Sequence, residues 1–186
     1  RAGMAAELGL ENRPVVAQGG IDAHIGILGA DTIEPGGMLF IGGTSIVQLI
    51  QLAQEADVSG FWGPYPNALN DGRWLVECGQ VAAGSMLNWL SGEMFGLDAA
   101  GHAALIADVA AAPSRSEGLL ALDYMMGNRT PYRDAALRGA LMGLTLGHTR
   151  ADVYAAAIDS IALGSANVLS VLKARGVSVG RVMMAG

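Results

Sequence analysis

The chain has 186 residues, 52% of them apolar and 15% charged, enough to bury one core or one domain and part of another. Its net charge of −6 lacks the basic face that nucleic acid requires, yet leaves open phosphate ligands held by local amides. A single cysteine, Cys78, excludes an intrachain disulfide and a zinc site of cysteine spacing, and suits a reducing, cytoplasmic setting.

Residues 1–10 read as the end of a helix that stops near Gly9, and "PVVAQG" (14–19) as a short strand. No charged stretch followed by an apolar one opens the chain, so no signal peptide is expected there. The absence of an initiator Met makes it read as a segment of something longer. "DAHIGILGA" predicts a short helix from Asp22, and "PGG" then breaks the chain before a hairpin over 38–42 and 45–52. Residues 35–54 carry no charge, but glycines, hydroxyls and Gln48, Gln51 and Gln54 argue against a bilayer span.

"GRWLVECGQ" is a third strand, with Arg73, Leu75 and Glu77 alternating against Trp74, Val76 and Cys78. Met86, Leu87, Leu90 and Met94 give 82–96 a helical spacing, and a second helix over 98–112 ends at Pro113. "GLLALDYM" (118–125) is a fourth strand. A loop rich in Gly and Pro follows, with a strand at its end (127–149). The longest helix, 150–176, is small-sided enough to lie close on a sheet, and Gly176 stops it. "RVMMAG" begins a last strand, so the order is βββαβα(β), an α/β layered domain.

Two places carry chemistry. The turn Gly42-Gly43-Thr44-Ser45 joins two apolar runs; its glycine amides form a concave donor site for anionic oxygen, and the hydroxyls add donors. A tight hairpin needing glycine for its backbone angles would look the same. Asp22 follows Gly19-Gly20 at a helix start, where an aspartate suits the N-cap.

Several stretches together resemble the FGGY carbohydrate kinases: "GGIDAHIGILG", "GGTS", "GFWGPYP", "CGQVAAGSMLNWL", "GNRTPYRDAALRGALMGLTLG" and "VMMAG", in that order. "IDAHIG", "WGPY" and "GNRTP" are most similar to the D-ribulokinase-like branch. The resemblance implies two actin-like (ribonuclease H-like) ATPase domains with ATP and sugar in the cleft between them. Residues 1–33 would end the N-terminal sugar-binding domain, and 34–186 would form most of the C-terminal nucleotide-binding domain.

It implies an ATP-dependent kinase that phosphorylates a ketopentose such as ribulose, with Mg2+, and that this segment alone is inactive. Asp22 would be the catalytic base and, with His24, a substrate contact. Gly43 and Thr44 would meet the terminal phosphates, with Gly84, Asn88 and Gly186 on the nucleotide side. Asn88 stands where the family pattern also has Gln, and its reach is shorter. No metal ligand is assigned within the chain. Arg129 and Asp134 are expected to brace their loop as an ion pair. Xylulose or another polyol is the runner-up substrate. An actin-like ATPase module with an assembly or regulatory role is the alternative of another class. Neither nucleic acid nor membrane is expected as a partner, and a homodimer stays open.

Overall fold

The computed structural model describes residues 2–11, 15, 19–112, 116 and 118–186. Two short helices, α1 (Ala2–Glu7) and α2 (Asp22–Gly29), precede four strands: β1 (Gly37–Gly42), β2 (Ile46–Leu52), β3 (Trp62–Pro66) and β4 (Trp74–Gln80). Helix α3 (Gly84–Trp89) runs into a π-helical turn, Leu90–Met94, and then α4 (Ala99–Ala111). Strands β5 (Leu120–Leu122) and β6 (Ala140–Met142), the long helix α5 (Arg150–Ala174) and β7 (Arg181–Ala185) complete it.

The central sheet has the order β3-β4-β2-β1-β7. All pairings are antiparallel except β1 with β7, which are parallel. The hairpin strands are apolar on both sides because both faces of the sheet are covered. Met38, Ile50, Val76 and Cys78 meet Val168 and Leu172 of α5 on one face, while Leu39, Leu49 and Leu75 meet Ile27 of α2 on the other. A third cluster joins Met86 and Leu90 to Leu105 of α4 and Ala151 and Tyr154 of α5.

Helix α5 begins with a capping box: Asp152 Oδ2 accepts from both the Thr149 amide and the Thr149 hydroxyl at 2.6 Å. It ends at Gly176, whose φ of 80° only glycine adopts readily. Its small residues, Ala157, Ser160 and Gly164 among them, let the polar end of β4 come up against it.

Three expectations change. Strand β3, within the proline-rich "GFWGPYP", was not foreseen; prolines are tolerated here at a sheet edge with a register shift between Trp62 and Tyr65. The expected fourth strand shrinks to Leu120–Leu122 and leaves the central sheet, pairing with β6 in a sheet of its own. Leu120 is 59% exposed, so the apolar run that suggested a buried strand covers little. The βββαβα order therefore holds for the layers but not for that strand. The helix expected over 82–96 divides at Trp89, and the chain bends 117° before α4. The strand expected at 14–19 falls mostly on residues outside those described, as does Pro113.

Candidate active site

Strands β1 and β7 run parallel, so their carboxyl ends reach the same edge of the sheet as the turn at 43–45. Gly43 N donates to Ser45 O at 3.0 Å and closes that turn. The turn's carbonyls point the other way, into the start of α3. Gly84 N donates to Gly43 O at 3.0 Å, and Ala83 N and Ser85 N donate to Thr44 O at 3.2 and 3.1 Å. The Ser85 hydroxyl adds a third bond to Thr44 O, at 3.0 Å.

The leading amides of α3 are thus spent on the turn and not on an anion. What the turn has left are donors. Among the described residues, the Thr44 amide and the Thr44 and Ser45 hydroxyls have no hydrogen-bond partner, and Thr44 is exposed.

Two glycines are needed here because backbone crowds them. A Cβ on Gly84 would stand 2.6 Å from Gly43 O. One on Gly186, at the end of β7, would collide with Gly42 O. Gly43, Thr44, Gly84 and Gly186 therefore meet at one place, although they come from three distant segments. Asn88 lies one helical turn beyond Gly84 on the same side of α3, exposed, its carbonyl accepting from Ser91 Oγ at 3.1 Å.

Beside them opens a recess of about 350 Å³ lined by Ala82, Ser85, Met86, Trp89, Met125 and Met126. Trp89 and the two methionines were not singled out from sequence. Trp89 is 42% exposed.

Asp22 and His24 lie on the α2 face. The helix crosses that face of the sheet: His24, near its start, meets Glu77 of β4, and Asp31, just past its end, meets Arg181 of β7 at 3.2 Å. No hydrogen bond joins Asp22 to the turn. It is the first helical residue and not the N-cap, which is Ile21, and its Oδ1 accepts only from Ala23 N, at 2.8 Å. An ionised carboxylate in a first helical turn is favoured by the helix dipole.

His24 Nε2 lies 3.1 Å from Glu77 Oε2 of β4, with both side chains mostly buried. The Tyr65 ring is 6.1 Å from the imidazole, and its hydroxyl is held above its usual pKa, first by burial and then by the Glu77 carboxylate, against the pull of Arg133. Glu77 and Tyr65 complete a polar group that His24 alone did not reveal.

The "GNRTPYRD" loop braces the sheet without the expected ion pair. Arg129 stacks over Trp62, 4.7 Å from the ring centroid, and Asn128 and Asp134 join through their backbones at 2.8 and 3.0 Å. An aromatic face competes well for guanidinium, which explains the change of partner. Buried Thr130 accepts from Gly79 N at 3.0 Å and donates to Gly79 O at 2.9 Å, replacing a strand partner beyond the start of β3.

At the end of β4, Gln80 Nε2 donates to Asp123 Oδ2 at 2.7 Å and to Ile161 O at 2.9 Å, while Ser165 Oγ donates to Gln80 Oε1 at 2.5 Å. Burial pushes the Asp123 carboxyl up, and the Gln80 bond opposes this. Cys78 is fully buried, and burial pushes its thiol up to about 12, far from the range of a reactive thiolate. No group of three or more metal-capable side chains occurs among the described residues.

The C-terminal domain of the FGGY family of carbohydrate kinases matches residues 38–186. A ribulokinase of Shouchella clausii is 33% identical over 96% of this chain and 33% of its own length. One of Mycolicibacterium smegmatis is 32% identical over 98% of the chain and 34% of its own. Among solved structures, a xylulose kinase from Rhodospirillum rubrum superposes with a TM-score of 0.85 and 28% identity, over 100% of this chain and 37% of that one. The chain spans about a third of the length of the curated relatives it matches.

Proposed function

Because the chain belongs to the FGGY family of carbohydrate kinases, we propose that the protein carrying it transfers the γ-phosphate of ATP to a hydroxyl of a ketopentose such as ribulose. The observation that carries this reading is the convergence of Gly43, Thr44, Gly84 and Gly186 on one sheet end, with unpartnered donors facing out. Residues 34–186 then form most of the nucleotide-binding domain, and residues 1–33 end the sugar-binding one.

In this reading the Thr44 amide and hydroxyl hold the terminal phosphates, where donors placed in advance offset charge that builds on transfer. Gly84, Asn88 and Gly186 line the nucleotide side, and the recess at Trp89 suits an apolar base. Asp22 takes the proton as the sugar hydroxyl attacks the γ-phosphorus and ADP leaves. His24, held by Glu77, contacts the sugar. Mg2+ would neutralise phosphate charge during the transfer. The protein works in the cytoplasm on a small sugar, without nucleic acid or membrane as partner.

A panel of ribulose, xylulose and glycerol with ATP tests this in the whole protein. Ribulose should give the highest kcat/KM. A preference for xylulose or a polyol moves the protein within its family. ATP hydrolysis with polymer formation and no sugar phosphate would assign it instead to assembly, as an actin-like ATPase module.

Replacing Thr44 with Val should weaken nucleotide use by about 1–3 kcal/mol, the scale of an unmet polar partner, and leave the sugar KM within twofold. A raised sugar KM with ATP untouched would show that the turn serves the other ligand.

A further inference from the structure

Among the described residues, Asp123 is the one charged side chain in the buried class, 7% exposed. A carboxylate is placed so only at a cost, which its hydrogen bonds offset in part. Its partner Gln80 ends β4 opposite Ile46, the residue that follows the phosphate turn. The Gln80 amide is held on three sides, by Asp123, Ile161 O and Ser165 Oγ. Gly164 leaves the room for this: a Cβ there would strike Gln80 Nε2 and come within 3.1 Å of Asp123 Oδ2. From Asp123 the chain turns tightly, Met125 N donating to Asp123 O at 2.9 Å and Gly127 N to Tyr124 O at 3.1 Å. Met125 and Met126 then form one wall of the recess beside the turn.

We propose that Asp123 is a positioning residue for the nucleotide: by gripping Gln80 it ties the Met125–Met126 wall to the strand end that carries the phosphate turn. Shifting the carboxylate moves a wall two residues away while leaving Asp22 and His24, on the opposite face of the sheet, in place. The inference rests on the kinase reading above.

The test is steady-state kinetics of the whole protein with ATP and its preferred sugar, for Asp123→Ala, Asp123→Asn and Met126→Ala. Asp123→Ala should raise the KM for ATP about tenfold, the scale of one lost well-placed contact, with kcat at saturating ATP and the sugar KM within twofold. Asp123→Asn keeps an oxygen to accept from Gln80 and should return the KM for ATP to near the parent value. An unchanged KM for ATP, an equal rise in both KM values, or failure of Asn to rescue would overturn the proposal. Should Asp123→Ala not fold, Met126→Ala decides, since Met126 is 65% exposed and bears little on the core. A several-fold rise in the KM for ATP supports the wall, and none overturns it. A parent protein that phosphorylates no sugar with ATP would instead defeat the kinase reading, which these variants do not address.

Discussion

Asp22→Asn should lower kcat by roughly 10²–10⁴-fold, the usual loss when a general base is removed. Asn keeps the shape and the acceptor that Ala23 N uses at 2.8 Å, so melting temperature and ligand binding should stay close to normal. The capping share of the effect is small, because Ile21 and not Asp22 holds the N-cap and makes no side-chain bond. A structural aspartate would show the reverse: an early melt and activity lost only in proportion to folded protein. If the carboxylate also touches the metal on the nucleotide, ATP affinity falls beside kcat. Binding measured with kinetics separates the two roles. A variant that keeps most of its kcat removes Asp22 from the chemistry.

Gly84→Ala should act by crowding. The new methyl carbon would sit 2.6 Å from Gly43 O and 3.2 Å from its carbonyl carbon, and neither backbone atom can rotate away as a side chain would. Either α3 withdraws from the turn or the turn deforms, and the bonds from Ala83, Gly84 and Ser85 to the turn carbonyls lengthen. Overpacking of this kind costs about 1–3 kcal/mol, or a fall of roughly 2–12 °C in melting temperature for a unit of this size. The KM for ATP should rise at least about tenfold, because the donors of Thr44 move with the turn. The sugar KM should stay within twofold. Gly92→Ala is the control, since nothing lies within 4 Å of a Cβ placed there. If Gly84→Ala binds ATP as the parent does, the joint between α3 and the turn is not part of the site.

The hairpin and the long helix were legible in the sequence because each is written locally. Two apolar runs flank Gly42-Gly43-Thr44-Ser45, and the helix at 150–176 carries its own cap and stop. Strand β3 was not, since Pro64 and Pro66 obey a rule about edge strands that matters only once the edge is known. The reverse error came at Leu120–Leu122, an apolar run that looks buried but lies in a small exposed sheet.

Within the candidate site, glycines and Asp22 stood out by residue type. Their partners did not, because each is fixed by long-range contact. Glu77 lies 53 residues from His24, and Asp123 lies 43 from Gln80. Nothing local marks Asp123; only tertiary packing buries it. Arg129 was expected on Asp134 four residues further along than its neighbour Thr130, yet the fold offers it Trp62, far off in sequence and close in space.

A crystal structure of the whole protein with a non-hydrolysable ATP analogue tests most directly whether the turn at 43–45 holds nucleotide phosphate. The expected result is a terminal phosphate oxygen about 3 Å from the Thr44 amide or hydroxyl, with the nucleotide passing Gly84, Asn88 and Gly186 and its base at the recess beside Trp89. A nucleotide bound elsewhere, such as the recess beside Arg175 and Ser178 at the opposite end of the sheet, with no phosphate at Thr44, would contradict it.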